Sequence, residues 1–195
     1  MKIRKSGIWI TAAFIMAALL ISPIGFAAEM AEKEDLKPKV IVQVDGLTCP
    51  FCAYGLEKRM KKLSAVKESS IDIKKGAVEL FPKEGRHIEL DDVKDAVANG
   101  GFTPREIRVA LIGKLLELNG ETVLSIVSTD KEGEKDETKY LLKKNEQLKQ
   151  LLASVKAPDG EVFIAGKAVK ETPHEHHDHP YTIIIEKFYA LSKEK

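Results

Sequence analysis

Val40-Ile41-Val42-Gln43-Val44-Asp45-Gly46-Leu47-Thr48-Cys49-Pro50-Phe51-Cys52 passes from one periodicity to another within a single short stretch. Val40, Val42 and Val44 alternate with Ile41 and Gln43, the pattern of a strand. Asp45 to Thr48 read as a loop. A helix is expected to start near Cys52, because Ala53, Leu56, Met60 and Leu63 recur at spacings of three and four and so share one apolar face. Glu57, Lys58, Lys61 and Lys62 occupy the opposite face.

Working outward, residues 69–73 read as a strand with Ile71 and Ile73 on one side. Lys74-Lys75-Gly76 turns the chain into a partner strand over residues 77–81. Leu90, Val93 and Val97 mark a second helix; Asp91 and Asp92 suit its positive N-terminal end, and Gly100 its stop. A strand follows over residues 102–109. The order βαββαβ is that of the split βαβ, ferredoxin-like arrangement.

Residues 110–195 have a different rhythm. Residues 111–118 are strand-like and turn at Asn119-Gly120, a strong hairpin signal, into residues 122–127. Residues 138–142 form a third strand, residues 145–155 a helix with Leu148, Leu151 and Leu152 on one side, and residues 162–169 and 181–188 two further strands. The order βββαββ suits a small, mainly-β barrel of the OB type. The expected fold is therefore α+β: a ferredoxin-like domain over residues 40–109, then an OB-like barrel domain over residues 110–195.

Lys+Arg number 31 and Asp+Glu 30 in 195 residues, a formal net charge of +1, and 44% of residues are apolar. This is an ordinary globular balance, and it lacks the basic excess of a dedicated nucleic-acid binder. The N-terminus reads as a secretory signal peptide over residues 1–28: a basic start, an apolar run from Ile8 to Ile21, and small residues Gly25 and Ala27 ahead of cleavage near Ala27 or Ala28. The apolar run is shorter than the roughly 20 residues of a spanning helix. Cleavage removes Lys2, Arg4 and Lys5 and turns the net charge to −2. The expected product is exported, periplasmic or otherwise extracytoplasmic, with a charged leader over residues 29–39.

Cys49 and Cys52 are the only cysteines, too few for a disulfide scaffold or a four-cysteine zinc site. Thiolates are soft donors that suit Cu(I), Hg(II) or Zn(II). Two of them at a helix N-terminus converge on one ion, and the helix dipole favours the thiolate, most of all at Cys49. A two-coordinate ion stays open to a third thiolate, which transfer by ligand exchange requires.

Residues 40–109 resemble the heavy-metal-associated domain, the module of copper chaperones, of the N-terminal regions of metal-pumping ATPases and of periplasmic mercury-binding proteins. The family pattern Gly-Met-Thr-Cys-x-x-Cys is matched by Gly46-Leu47-Thr48-Cys49-Pro50-Phe51-Cys52, with Leu47 in place of Met. Gly101-Phe102 matches the later Gly-Tyr/Phe, whose ring lies near the metal loop in that fold. The resemblance implies a ferredoxin-like fold, one copper or mercury ion held by Cys49 and Cys52, and delivery to a membrane metal transporter or another envelope protein, with no enzymatic reaction and no nucleic acid. The same Cys-Pro-Phe-Cys also suits an extracytoplasmic thiol–disulfide oxidoreductase.

Four of the five histidines, His174, His176, His177 and His179, fall between Pro173 and Pro180. Clustered imidazoles suit Cu(II), Zn(II) or Ni(II), so the loop over residues 173–180 is a candidate second metal site. His87 reads as a surface or edge residue rather than a ligand. Lys58, Arg59, Lys61 and Lys62 form a basic cluster that suits an acidic partner.

Overall fold

A computed structural model describes residues 36–129, 133–155, 161–171 and 181–191. The described residues from Lys37 onward form one compact unit. The expected signal segment over residues 1–28 and its expected cleavage point, and His174, His176, His177 and His179, lie outside the described residues. Among the described residues no helix is long and apolar enough to cross a membrane.

The first part follows the expected order: β1 (Lys39–Asp45), α1 (Pro50–Met60), β2 (Val66–Asp72), β3 (Ala77–Pro82), α2 (Leu90–Ala98) and β4, which begins at Thr103. Val40, Val42 and Val44 turn inward from β1, while Ala53, Leu56 and Met60 turn inward from α1. On α2 the buried stripe is Leu90, Val93, Ala96 and Val97. The strands lie in the order β2-β3-β1-β4, and all neighbours are antiparallel. The second helix ends at Ala98, just before its expected stop at Gly100. Asn99 and Gly100 are still bonded back to its last turn, and the left-handed residue is Gly101, with φ +84°.

β4 does not end at residue 109 but continues to Leu118, so the division between residues 109 and 110 falls inside one strand. Its residues 107–110 are paired on both edges, Val109 to Val40 of β1 and to Gly166 of β7 (Glu161–Lys170). Beyond them β4 turns at Asn119 and Gly120, with φ values of +53° and +79°, into β5 (Glu121–Thr129). Two successive positive φ angles are those of the tight hairpin turn that Asn-Gly favours.

β6 (Lys135–Leu142), α3 (Glu146–Ser154), β7 and β8 (Tyr181–Leu191) complete the β-rich region. Strand β5 pairs with β6, β6 runs parallel to β8, β8 pairs with β7, and β7 returns to β4. The five strands close into a ring. Where β7 shifts register against β8, a Cβ on Gly166 would stand 2.1 Å from the Ile184 carbonyl oxygen, so only glycine fits that crossing.

Asn145 caps α3, its side chain accepting from the Leu148 N–H at 2.8 Å. Leu148 and Leu151 are buried, but Leu152 is 48% exposed, contrary to the expected three-leucine face. Successive helical residues are about 100° apart, and a stripe resting mainly on β8 is too narrow to cover both Leu151 and Leu152. A single buried cluster runs from Val42, Leu56 and Val97 to Leu124, Ile164 and Ile183.

Candidate metal centre

β1 ends at Asp45, and Gly46 reverses the chain with φ +86°, a conformation in which side chains are strained. The Thr48 N–H donates to the Gly46 carbonyl at 2.9 Å and tightens the loop. Leu47 is buried and anchors it to the core. Phe102 packs beneath: its Cδ1 would lie 3.8 Å from a Cβ on Gly46, and its Cδ2 3.2 Å from one on Gly100. The expected placing of this ring near the loop is therefore met. Asp45 also accepts from Arg105 at 2.6 Å, tying the end of β1 to β4 at the base of the loop.

α1 starts at Pro50, two residues earlier than the expected start near Cys52. Cys49 is the N-cap residue in extended conformation, with φ −113° and ψ 129°, and Pro50 opens the first turn. Proline suits that place because the first-turn N–H groups have no partner within the helix. The Ala53 N–H closes the first turn on the Cys49 carbonyl at 3.0 Å. Cys49 is half-buried, Cys52 is exposed, and both are free thiols.

The two thiols are unequal. The Cys49 sulfur is held below the usual thiol range chiefly by the Cys52 backbone N–H, then by the Cys52 thiol and the Phe51 N–H, with burial opposing weakly. Cys52 is pushed up, first because its thiol donates to Cys49, then by burial and by the charge on Cys49. Cys49 therefore ionises first, and Cys52 keeps the proton that an incoming ion displaces. No acidic residue stands in the first turn of α1 to oppose that charge. The surroundings are open: Phe51 is 87% exposed and Tyr54 57%, and the Lys58 ammonium lies 4.6 Å over the Tyr54 ring. Lys58, Arg59, Lys61 and Lys62 are exposed on or just after the same helix, Lys61 paired with Glu57 at 2.5 Å.

Of the expected ligands, Cys49 and Cys52 lie among the described residues and stand together at the start of α1, while His174, His176, His177 and His179 lie outside the described residues. Among the described residues no group of three or more His, Cys, Asp or Glu is placed to hold a metal ion. His87 is a correction. Its side chain is only 5% exposed, and its Nε2 lies 2.6 Å from the Tyr140 hydroxyl of β6. An isolated histidine beside Ile88 carries no local signal of this, because its partner is far along the chain.

No family model matches the chain. The copper chaperone CopZ of Staphylococcus haemolyticus is 26% identical over 62 residues, which are 32% of this chain and 90% of that protein. Among solved structures, the N-terminal domain of a potential copper-translocating P-type ATPase from Bacillus subtilis in the Cu(I)-loaded state is 25% identical. That likeness covers 35% of this chain and 84% of that one, with a TM-score of 0.32. A yeast copper transporter domain is 20% identical over 35% of this chain and 92% of its own, with a TM-score of 0.33. A copper-chaperone-like, heavy-metal-associated domain thus accounts for about a third of the chain. Its Cys-x-x-Cys pair is Cys49 and Cys52, and the rest of the chain lies outside these matches.

Proposed function

We propose that the protein binds one soft metal ion, Cu(I) or Hg(II) and less readily Zn(II), through Cys49 and Cys52 and passes it on by thiolate exchange. The observation that carries this reading is the exposed pair at the start of α1, one thiol held low by backbone N–H groups and the other donating to it. A thiolate of the receiving protein would attack the ion while Cys49 or Cys52 leaves, so no bond to carbon is made or broken. The likeness to a copper chaperone favours copper as the cargo; the recipient would be a membrane metal transporter or another envelope protein that offers such a thiolate.

Export rests on the basic, apolar and small-residue pattern of residues 1–28. The histidine loop would supply a second, harder site for Cu(II), Zn(II) or Ni(II) through His174, His176, His177 and His179. The β-rich region is read as OB-like: counting β4 as first, its strands join in the order 1-2-3-5-4-1, with α3 between the third and fourth.

Titration of the reduced protein with Cu(I), Hg(II) and Zn(II) against a competing thiol tests the main reading, with Cys49→Ser/Cys52→Ser as reference. One equivalent of soft metal retained by the wild type alone supports it. The unequal thiols also suit a thiol–disulfide oxidoreductase, in which Cys49 attacks and Cys52 resolves. Insulin-disulfide reduction without metal retention would select that alternative.

A further inference from the structure

A cleft of about 190 Å³ lies where the metal-binding part meets the ring. From the first part it is lined by Arg86, His87, Glu89 and Asp92, and from the ring by Ser128 and Asp136. The two walls are held together on either side of it. The Thr129 N–H donates to the Gly85 carbonyl at 2.8 Å, and Arg86 donates to the Thr129 carbonyl at 3.0 Å. His87 meets the buried Tyr140 hydroxyl. Further along, Tyr181 donates to Asp91 at 2.6 Å and Lys170 to the same oxygen at 2.9 Å.

One feature of this joint opposes its closure. Glu89 and Asp92 from one wall and Asp136 from the other line the same cleft, and Asp91 is near enough for its charge to act on Glu89 as well. Lys170 and Tyr181 are spent on Asp91, and Arg86 on a backbone carbonyl. The Thr138 hydroxyl supports the Glu89 carboxylate, and His87 Nε2 lies 3.9 Å from Glu89 Oε1. Nearby Lys94 lies over the Tyr181 ring, at 5.7 Å.

We propose that Glu89 makes the joint between the metal-binding part and the ring proton-sensitive, so that the joint tightens when Glu89 takes up a proton. The geometry supplies the reason: a proton there removes a like-charge confrontation across the cleft, which outweighs the Thr138 hydrogen bond to the carboxylate, and leaves the Thr129–Gly85, Arg86–Thr129 and Tyr181–Asp91 bonds in place. Burial first, then Asp92, Asp136 and Asp91, push the Glu89 carboxyl above its usual value, against the smaller effect of Thr138. A carboxyl raised on folding binds its proton more tightly in the folded state. Its contribution is therefore favourable at acid pH and is lost as pH rises through the raised value.

The test compares thermal unfolding of the full chain and its Glu89→Gln variant from pH 8 to pH 4.5, without metal. The amide matches the protonated carboxyl, so the variant should melt about 2–4 °C above the wild type at pH 8. The gap should close by pH 4.5. Asp136→Asn should reproduce part of the gap at pH 8, and the double variant should gain less than the sum. Hydrogen exchange at the Thr129 N–H, normalised to its intrinsic pH dependence, should slow on acidification in the wild type and not in Glu89→Gln. A gap that is absent, reversed or unchanged from pH 8 to pH 4.5 overturns the proposal, as does equal acid protection of the Thr129 N–H in both proteins.

Discussion

The Cys49–Cys52 loop and the five-stranded ring use polar chemistry in opposite ways. In the loop, two thiols are turned outward and polarised by backbone N–H groups that the helix leaves unpaired. In the ring, the large buried groups are Leu124, Tyr140, Phe163, Ile164 and Ile183, and Tyr140 spends its one hydroxyl on His87. Reactivity thus sits on an exposed turn, and stability sits in strands that share no atom with it. What joins them is β4, which leaves Phe102 beneath the loop and runs on into the ring.

Replacing both cysteines tests that separation most severely. Cys49→Ser/Cys52→Ser should lose all soft-metal retention against a competing thiol, while the unfolding free energy moves by no more than about 0.5 kcal/mol. A collapse of stability, read by denaturant unfolding, would show the two regions are not separable. Core truncation probes the opposite side. Leu56→Ala in α1 and Leu124→Ala in the ring should each cost about 2–5 kcal/mol, since both leucines are fully buried. Because β1 and β7 grip the same residues of β4, both variants should shift one common unfolding transition. Two separate transitions in calorimetry would mean that the shared strand does not couple the parts.

Smaller effects sharpen the contrast. Asn145→Ala removes the cap of α3 and should cost about 1 kcal/mol without altering metal retention. Alkylation with limiting iodoacetamide should modify Cys49 before Cys52, because only its thiolate is favoured. The pH midpoint for Cys49 should lie below that for Cys52, as mapped by peptide mass spectrometry. Equal rates at all pH values would remove the asymmetry on which the loop's chemistry rests. Leu47→Met should change least: a buried, volume-conserving exchange costs under about 1.5 kcal/mol, and one equivalent of metal should still bind.

Much of the first part was legible because its signals are local. The alternation of Val40, Val42 and Val44, the spacing of Ala53, Leu56 and Met60, and the turns at Gly46 and Asn119-Gly120 all reappear as read. Apolar periodicity sets the helix start late because Cys49 and Pro50 carry none; capping, rather than burial, fixes that boundary. The sequence pattern breaks at residue 109 although β4 does not, since the strand's partners change along it while its backbone runs on. The burial of His87 and the exposure of Leu152 escape local pattern for a related reason. Whether such a residue is covered depends on an element far along the chain, β6 for His87 and β8 for the face of α3.

By itself, the sequence determined the element order, the soft-donor pair and its position at a helix start, because periodicity, capping and thiol chemistry act over a few residues. Only the tertiary structure decided that one strand serves both halves, that Tyr140 covers His87, and that Glu89 and Asp136 line one cleft. Those outcomes depend on which hydrogen bonds, strand edges and charges are brought within a few ångströms, and the folded chain sets that across separations of dozens of residues.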